Sequence, residues 1–252
     1  MRPKSNTSRW MMCSCLALVL SCVVVSAQET PPTTPAQHQS PVLLILFDSS
    51  YGMREKLQGK QTKLNIGKQV VSDMLSSLPS TLHIGLRLMG QRFTRDVSTD
   101  CSSSKLVVPI ATNQQGGIRA ALSAVKPTGL TPLEYSLGRG MEDLRHFSGR
   151  KMILIVSDGA ETCDGNPAQY VQLERKSGET ARIDAIDLAK PRDKPSRKVL
   201  TDLVKAGSGM LHKWTDSKAI ALDVAEFFEL SPVETQSEPE RNHSVGSSPT
   251  NH

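Results

Sequence analysis

The chain of 252 residues is 38% hydrophobic and 22% charged, a composition typical of one soluble globular domain with polar extensions. Aromatic residues make up only 4% of the chain, which argues against a nucleic-acid surface built on base stacking. The formal net charge is +5, and no run of lysine and arginine resembles a nucleic-acid-binding patch. A protein-binding module, an enzyme and a purely structural domain are the functional classes left to weigh.

The N-terminal segment, residues 1–27, predicts a secretory signal peptide. Basic residues precede an apolar stretch at residues 11–25, and the small side chains at residues 25–27 fit a cleavage site. Two alternatives stay open: an uncleaved anchor, for which the apolar stretch is short, and a lipoprotein cleaved before Cys22. Cleavage removes three basic residues and no acid, so the net charge falls from +5 to +2. We expect an exported protein, periplasmic or extracellular, with no stable membrane span after cleavage.

The remaining chain divides into a linker, one domain and a tail. Residues 28–40 are rich in proline and threonine and lack apolar periodicity, which predicts an extended linker. Residues 41–230 are long enough to bury the core of a single domain. Residues 231–252 are rich in serine, proline and other polar residues, which predicts a disordered tail.

Apolar periodicity predicts strands that alternate with helices inside the domain. Strands are predicted at residues 42–47, 82–90, 105–110, 151–157, 182–189 and 210–214. Helices are predicted near residues 64–78, 113–126, 132–147, 171–173, 195–206 and 220–228. This alternation predicts a doubly wound, mostly parallel six-stranded sheet flanked by helices. Pro109 favours a short antiparallel edge strand, and Gly85 and Arg87 predict a less deeply buried second strand.

The strand at residues 42–47 contains only apolar residues and ends abruptly in Asp48, Ser49 and Ser50. Such a run is typical of a strand buried on both faces at the centre of a parallel sheet. Because ligands of open α/β sheets bind outside the carboxyl ends of the strands, these oxygen atoms are candidates for a binding site.

A second strand, at residues 151–157, runs in the same way into Asp158 and a glycine. Between the two strands, Thr131 lies in a loop that enters a helix. Three oxygen-bearing loops at one edge of a sheet predict a site for a hard cation.

The order of these residues resembles the von Willebrand factor type A domain. The pattern is D-x-S-x-(S), then a loop threonine, then a strand that ends in aspartate, and the resemblance covers nearly all of residues 41–230. In that family these positions form the metal-ion-dependent adhesion site, which holds one Mg²⁺ or Mn²⁺. The resemblance implies that Asp48, Ser50, Thr131 and Asp158 are metal ligands here. It also implies that an Asp or Glu carboxylate of a protein partner fills an open position on the metal.

Gly52 departs from the family pattern. The family string resembles D-x-S-G-S-M, whereas residues 48–53 read D-S-S-Y-G-M. Gly52 has no side-chain oxygen, and Tyr51 stands where glycine is common. The departure predicts a weakened metal site, and a structural domain with a non-functional metal site is the alternative.

Each ligand candidate also has a structural interpretation. Thr131, Pro132 and Glu134 fit a capping box at the start of a helix. Asp158 followed by glycine is commonly a turn, and Asp48 can bond to nearby backbone N–H groups. Both interpretations stay open for each residue taken singly.

Only Cys101 and Cys163 remain once the signal peptide is removed. In an oxidising compartment two cysteines allow one pairing, so we expect a disulfide, with two free thiols as the alternative. The string V-S-D-G-A-E-T-C at residues 156–163 resembles bacterial secreted type A domains.

The resemblance implies a non-enzymatic module that binds a protein through the rim loops. The rival is a phosphatase of the haloacid dehalogenase type, which also places an aspartate after its first strand. That chemistry typically needs a second acid two residues later, where this chain has Ser50, and a lysine that no motif here signals. No serine lies in a G-x-S-x-G nucleophile elbow. The sequence predicts neither the identity of the partner nor the oligomeric state.

Overall fold

The computed structural model describes residues 40–230. The predicted signal peptide, nearly all of the linker and the predicted tail fall at residues 1–39 and 231–252, outside the described residues. Within residues 40–230, no helix is both long enough and apolar enough to span a membrane.

Strands and helices alternate along the described residues, and a 3-10 turn, Tyr51–Arg54, follows the first strand. The strands are β1 (Val42–Asp48), β2 (Lys56–Gln58), β3 (Gln61–Thr62), β4 (His83–Met89), β5 (Ser104–Ala111), β6 (Lys151–Ser157), β7 (Arg182–Asp187) and β8 (Leu211–Lys213). The helices are α1 (Lys63–Ser76), α2 (Val97–Asp100), α3 (Gln115–Ala124), α4 (Leu133–Asp143), α5 (Pro167–Lys176), α6 (Lys194–Ala206) and α7 (Ser217–Phe227).

Six strands form the central sheet, in the order β5-β4-β1-β6-β7-β8. Neighbouring strands are parallel except β5, which runs antiparallel to β4 at one edge. This arrangement confirms the predicted mostly parallel six-stranded sheet with one antiparallel edge strand. Pro109 lies in that edge strand, where a missing backbone N–H is tolerated.

β1 lies at the centre of the sheet because both of its faces are apolar, and all of its residues are buried. Leu43, Ile45 and Phe47 pack in a core with α1, α3 and α7. Leu44 and Leu46 pack in a second core with α4, α5 and α6. Helices therefore cover both faces of the sheet, and the carboxyl end of β1 is where a buried strand meets polar loops.

The prediction that the second strand is less deeply buried is wrong, because every residue of β4 after His83 is buried. A Cβ on Gly85 would lie 2.5 Å from Ile110 Cγ1, so a neighbouring side chain fills this space. The Arg87 guanidinium donates to the two carboxylate oxygens of Asp143 at 2.7 and 2.8 Å. A charged residue can be buried here because its charge is paired.

Residues 51–63, which connect β1 to the first residue of α1, contain regular structure. The 3-10 turn leads into a hairpin of β2 and β3, which turns at Gly59 with a positive φ of 55°. α1 then begins at Lys63, and the Thr62 hydroxyl accepts a hydrogen bond from the Asn65 N–H. The hairpin returns the chain so that the Lys63 side chain reaches the carboxyl edge of the central sheet.

Candidate functional site

The carboxyl edge of the sheet gathers three of the four predicted metal ligands. Asp48 ends β1, and Asp158 directly follows β6, the neighbouring strand. Gly52 lies between Ser50 and Asp158, since an added Cβ would be 3.9 Å from Ser50 Oγ and 3.1 Å from Asp158 Oδ2. Two parallel strands thus bring together side-chain oxygen atoms from distant parts of the sequence.

Asp48 is completely buried, and both of its carboxylate oxygens accept hydrogen bonds. Oδ1 accepts from the Ser50 N–H at 2.8 Å, and Oδ2 accepts from the Ser157 hydroxyl at 2.6 Å. Burial, and next the charge of Asp158, raise the pKa of Asp48 to about 6, while the hydrogen bonds from the two serines oppose this rise. A raised pKa is typical of a buried carboxyl group beside a second carboxylate.

A buried lysine, Lys63, holds Asp158. The Lys63 side chain is 1% exposed, and its Nζ lies 2.6 Å from both Asp158 Oδ2 and Glu55 Oε2. Burial lowers the pKa of Lys63, but the hydrogen bonds with Asp158 and Glu55 outweigh it, so the net shift is upward and the ammonium stays charged. Glu55 also pairs with Lys190 at 2.9 Å, so a chain of ion pairs leads from the site to the surface.

Sequence reasoning missed Lys63, because no motif marks it. Its one unusual feature in the sequence is a positive charge in the first turn of a helix, which opposes the helix dipole. That feature is too common among surface lysines to identify a buried ion pair.

Ser50 presents a buried hydroxyl without a partner. Within residues 40–230, Ser50 Oγ makes no hydrogen bond, although the residue is only 1% exposed. The backbone of Ser50 forms an isolated parallel bridge with Gly129. Leaving a buried hydroxyl unpaired costs about 1–3 kcal/mol. The Ser50 hydroxyl lies next to the Asp48 carboxylate, whose pKa it lowers, and it is a candidate to contact a bound ligand.

Thr131 lies on the adjoining loop and is also buried. The capping-box interpretation of Thr131 is wrong, because the N-cap of α4 is Pro132 and no side-chain hydrogen bond is made from that position. Glu161 caps the helix instead, since its Oε2 accepts from the Glu134 N–H at 3.0 Å. The Thr131 hydroxyl is therefore not used as a helix cap, and its role as a ligand stays a prediction.

An exposed patch of apolar and basic side chains lies on the same edge. We call it the rim patch, and it consists of Tyr51, Arg54, Arg92, Phe93, Arg95 and Val97. The three apolar members, in chain order, are 62%, 63% and 67% exposed. The Arg54 guanidinium lies 4.9 Å from the centre of the Tyr51 ring. In the described part of the chain, the arginines that form ion pairs are residues 87, 139, 150, 182 and 197. The arginines of the rim patch therefore have no carboxylate partner within residues 40–230.

The backbone of Gly129 connects the two halves of the rim patch. The Tyr51 N–H donates to Gly129 O at 2.8 Å. A Cβ on Gly129 would lie 2.1 Å from Arg92 O, so only glycine allows this close approach. The 3-10 turn and the loop after β4 therefore lie side by side.

A disulfide joins the loop after β4 to the loop after β6. Cys101, which follows α2, and Cys163 are bonded with their Cα atoms 5.6 Å apart. The buried Asp100 carboxylate holds the same loop, since its Oδ1 accepts from the Thr94 N–H at 2.8 Å and from the Thr94 hydroxyl at 2.9 Å. These bonds fix the segment that carries most of the rim patch.

A second polar cluster lies between β7, β8 and α7. Ligand atoms of Asp184, His212 and Asp223 lie within 4.8 Å of one another, as in a metal site. The Arg182 guanidinium already lies among them, 2.7 Å from Asp184 Oδ1 and 2.5 Å from Asp223 Oδ2. His212 Nε2 lies 2.8 Å from Asp184 Oδ2. We interpret this cluster, which the sequence did not predict, as a structural ion-pair network.

Comparison with known sequences finds relatives without a described function. No protein-family model matches the chain. The chain is 27% identical over 161 residues to the uncharacterized protein YwmD of Bacillus subtilis, which covers 62% of this chain and 71% of YwmD. It is 26% identical over 164 residues to the uncharacterized protein YwmC of the same organism, covering 63% of this chain and 70% of YwmC.

Solved structures identify the fold. An aerotolerance-related membrane protein of Bacteroides fragilis superposes with a TM-score of 0.58 at 12% identity, covering 75% of this chain and 98% of that one. A von Willebrand factor type A domain from Catenulispora acidiphila superposes with a TM-score of 0.53 at 16% identity, covering 75% of this chain and 42% of that one. The chain has the von Willebrand factor type A fold. At such low identity, the likeness shows the fold alone.

The metal site implied by the type A fold fits these residues only in part. The Ser50 hydroxyl, which makes no hydrogen bond within residues 40–230, and the two buried carboxylates favour a cation, but Gly52 contributes no side-chain oxygen. Both oxygens of Asp158 are already engaged, Oδ2 with Lys63 at 2.6 Å and Oδ1 with the Ala160 N–H at 3.1 Å. A divalent ion would have to share Asp158 with an ammonium of like charge. The arrangement therefore does not fit a strong Mg²⁺ or Mn²⁺ site.

Proposed function

We propose that this type A domain is a non-enzymatic protein-binding module whose partner binds the rim patch. The observation that carries the proposal is the exposure of Tyr51, Phe93 and Val97 on an edge that also carries three arginines without a carboxylate partner within residues 40–230. Apolar groups rimmed by arginine are typical of protein interfaces, because aromatic side chains and arginine contribute most of the binding energy there.

The charges at the rim patch favour an acidic partner, because three exposed arginines outnumber the exposed carboxylate of Asp96, which caps α2 next to Arg95. Arg54, Arg92 and Arg95 are exposed. A planar guanidinium group can donate two parallel hydrogen bonds to one carboxylate. We therefore propose that the partner presents Asp or Glu side chains next to an apolar group. This is the same partner chemistry that a metal-bound adhesion site would select, reached here without a metal.

The geometry of Asp48 argues against the phosphatase alternative. A lysine does lie beside Asp158, which the sequence did not signal, but its ammonium is engaged with Asp158 and Glu55. Asp48 itself is completely buried and accepts a hydrogen bond on each oxygen. A nucleophile needs an accessible lone pair, and neither Asp48 oxygen is exposed to a substrate.

We propose that the module acts outside the cytoplasm. The disulfide between Cys101 and Cys163 supports export, because such bonds persist in oxidising compartments. The predicted signal peptide points the same way.

Site-specific photo-crosslinking in the living host tests the proposed surface. A photoreactive phenylalanine analogue replaces Phe93 in the rim patch, and as a matched control it replaces Leu222, which is 70% exposed on α7. We expect a discrete crosslinked partner from position 93 and none from position 222. Charge reversal by Arg92→Glu with Arg95→Glu lowers the yield by about tenfold, because attraction becomes repulsion. Equal crosslinking from both positions, or a yield unaffected by charge reversal, would count against the rim patch.

A further inference from the structure

We infer that the Lys63 ammonium is the resident cation of this type A site and takes over the charge of the divalent metal that the family holds. The inference concerns the site itself and does not depend on the proposed partner. It rests on two observations that meet at one atom, Asp158 Oδ2.

The first observation is the ion pair of Asp158 with Lys63. The two side chains are 4% and 1% exposed, and their charged atoms lie 2.6 Å apart. A buried carboxylate requires a positive partner or strong hydrogen bonds. Lys63 supplies that partner from within the chain, as a charge-assisted hydrogen bond.

The second observation is Gly52, which departs from the family pattern by lacking a side-chain hydroxyl. A Cβ on Gly52 would lie 3.1 Å from Asp158 Oδ2, the same atom that Lys63 holds. A serine side chain would crowd this oxygen. Glycine therefore removes one metal ligand and also leaves space for the pair of Asp158 with Lys63.

Lys63 is held in place by its backbone as well as by its side chain. The Lys63 N–H donates to Glu55 O at 2.8 Å, and its Nζ lies 2.6 Å from Glu55 Oε2. Lys190 holds the other oxygen of Glu55 at 2.9 Å. Lys63 is therefore a preorganised part of the site. A metal could displace it only by breaking these hydrogen bonds, whereas a mobile surface lysine has none to break.

The electrostatics of the buried site follow from this arrangement. A divalent ion bound to Asp48 and Asp158 would lie close to the Lys63 ammonium, and repulsion between cations is strong where water is excluded. Of the predicted ligands, Ser50 then keeps a buried hydroxyl that makes no hydrogen bond within the part of the chain that the structure describes. With Lys63 present, the site keeps its conformation in the presence of a chelator.

Manganese binding by four versions of the protein tests the inference: wild type, Lys63→Met, Gly52→Ser, and the double variant Lys63→Met with Gly52→Ser. Calorimetric titration with MnCl₂ gives the affinity, and thermal unfolding in EDTA or in millimolar MnCl₂ gives the effect on stability. Lys190→Met is the matched control, because it removes a lysine from the same chain of ion pairs at the surface.

We expect no saturable Mn²⁺ binding below the millimolar range in wild type, Gly52→Ser and Lys190→Met. Lys63→Met acquires binding, and the double variant binds at least about tenfold more tightly because the serine adds a ligand. In the double variant Mn²⁺ raises the Tm by roughly 5 to 10 °C. Adding Asp158→Asn to the double variant removes the gain.

Two results would overturn the inference. One is saturable, Asp158-dependent Mn²⁺ binding by the wild type, which would mean that Lys63 gives way to metal. The other is a folded Lys63→Met protein that gains no binding with or without Gly52→Ser. Should Lys63→Met fail to fold in EDTA, Lys63→Gln replaces it, and the wild-type titration alone still decides the first result. The metal titration and the crosslinking experiment are independent. A failure of the inference about Lys63 can therefore be distinguished from a failure of the proposed function.

Discussion

Lys63 is as buried as the leucines of the core although it carries a charge. Two carboxylates at 2.6 Å make that burial tolerable, since a buried charge needs partners in good geometry. Lys190 pairs with the same Glu55 but stays 45% exposed. The two lysines form a matched pair for measuring what burial adds to an ion pair.

Lys63→Met is expected to lower the free energy of unfolding by about 3–5 kcal/mol in EDTA, because Asp158 is left as an unpaired buried charge. Lys190→Met should lower it by less than about 1 kcal/mol, since water screens an exposed pair. Urea denaturation of both variants measures the difference. Similar losses in the two variants would mean that the buried pair contributes no more than the surface pair.

At the scale of single residues, the sequence pointed to Asp48, Ser50 and Asp158 because they lie at or just after the end of an apolar strand, in an order that resembles the type A domain. The end of a strand is a local signal, and parallel strands bring their ends to one edge. Lys63 had no such signal. Its contact with Asp158 joins residues 95 positions apart and depends on how a short hairpin turns.

The N-terminus of α4 illustrates how an element can be capped from a distance. The pattern of Thr131, Pro132 and Glu134 predicted a local capping box, yet Glu161 from the loop after β6 accepts from the helix. Glu161 also accepts from the Cys163 N–H at 2.8 Å, so one carboxylate orders both its own loop and the helix. The local pattern could not reveal this competitor for the cap.

Glu161→Ala is expected to lower the free energy of unfolding by about 1–2 kcal/mol, because α4 loses its cap and the loop loses a bond. Thr131→Val keeps the shape of the side chain and removes only the hydroxyl. It should change the stability in EDTA by less than about 0.5 kcal/mol. Chemical denaturation of the two variants in parallel decides which residue caps α4. A larger loss of stability in Thr131→Val than in Glu161→Ala would restore the capping-box interpretation.

Among the elements, the apolar pattern determined which were predictable, since β8 was predicted although it spans only three residues. The strands of the central sheet and helices α1 and α3–α7 carry enough apolar residues to show a period. β2, β3 and α2 span two to four residues and show none. The predicted exposure of β4 failed for a different reason, since Gly85 and Arg87 are buried by Ile110 and Asp143, neither of which is local.

At the scale of the whole molecule, the disulfide ties together two loops of the carboxyl edge. Cys101 and Cys163 are 62 residues apart in sequence, and β5, α3, α4 and β6 lie between them. Closing so long a loop restricts the unfolded chain strongly. The disulfide therefore stabilises the fold and also holds the loop that carries most of the rim patch.

The double variant Cys101→Ser with Cys163→Ser is expected to lower the free energy of unfolding by roughly 2–4 kcal/mol. Hydrogen exchange should rise most in the loop after β4, where the disulfide and Asp100 together hold the backbone. Guanidinium denaturation with and without a reducing agent measures the stability. If the fully reduced wild-type protein were as stable as the oxidised protein, the disulfide would contribute nothing to stability.

The sequence by itself determined the mostly parallel sheet, the order of its helices and the edge where polar residues collect, because these depend on local apolar patterns. It also contained the Gly52 departure. Only the tertiary structure decided which cation faces Asp158, which residue caps α4 and which arginines lack carboxylate partners in the described part of the chain. The physical reason is that charge pairing in a buried site depends on the distance between atoms, and chain folding sets that distance for residues far apart in sequence.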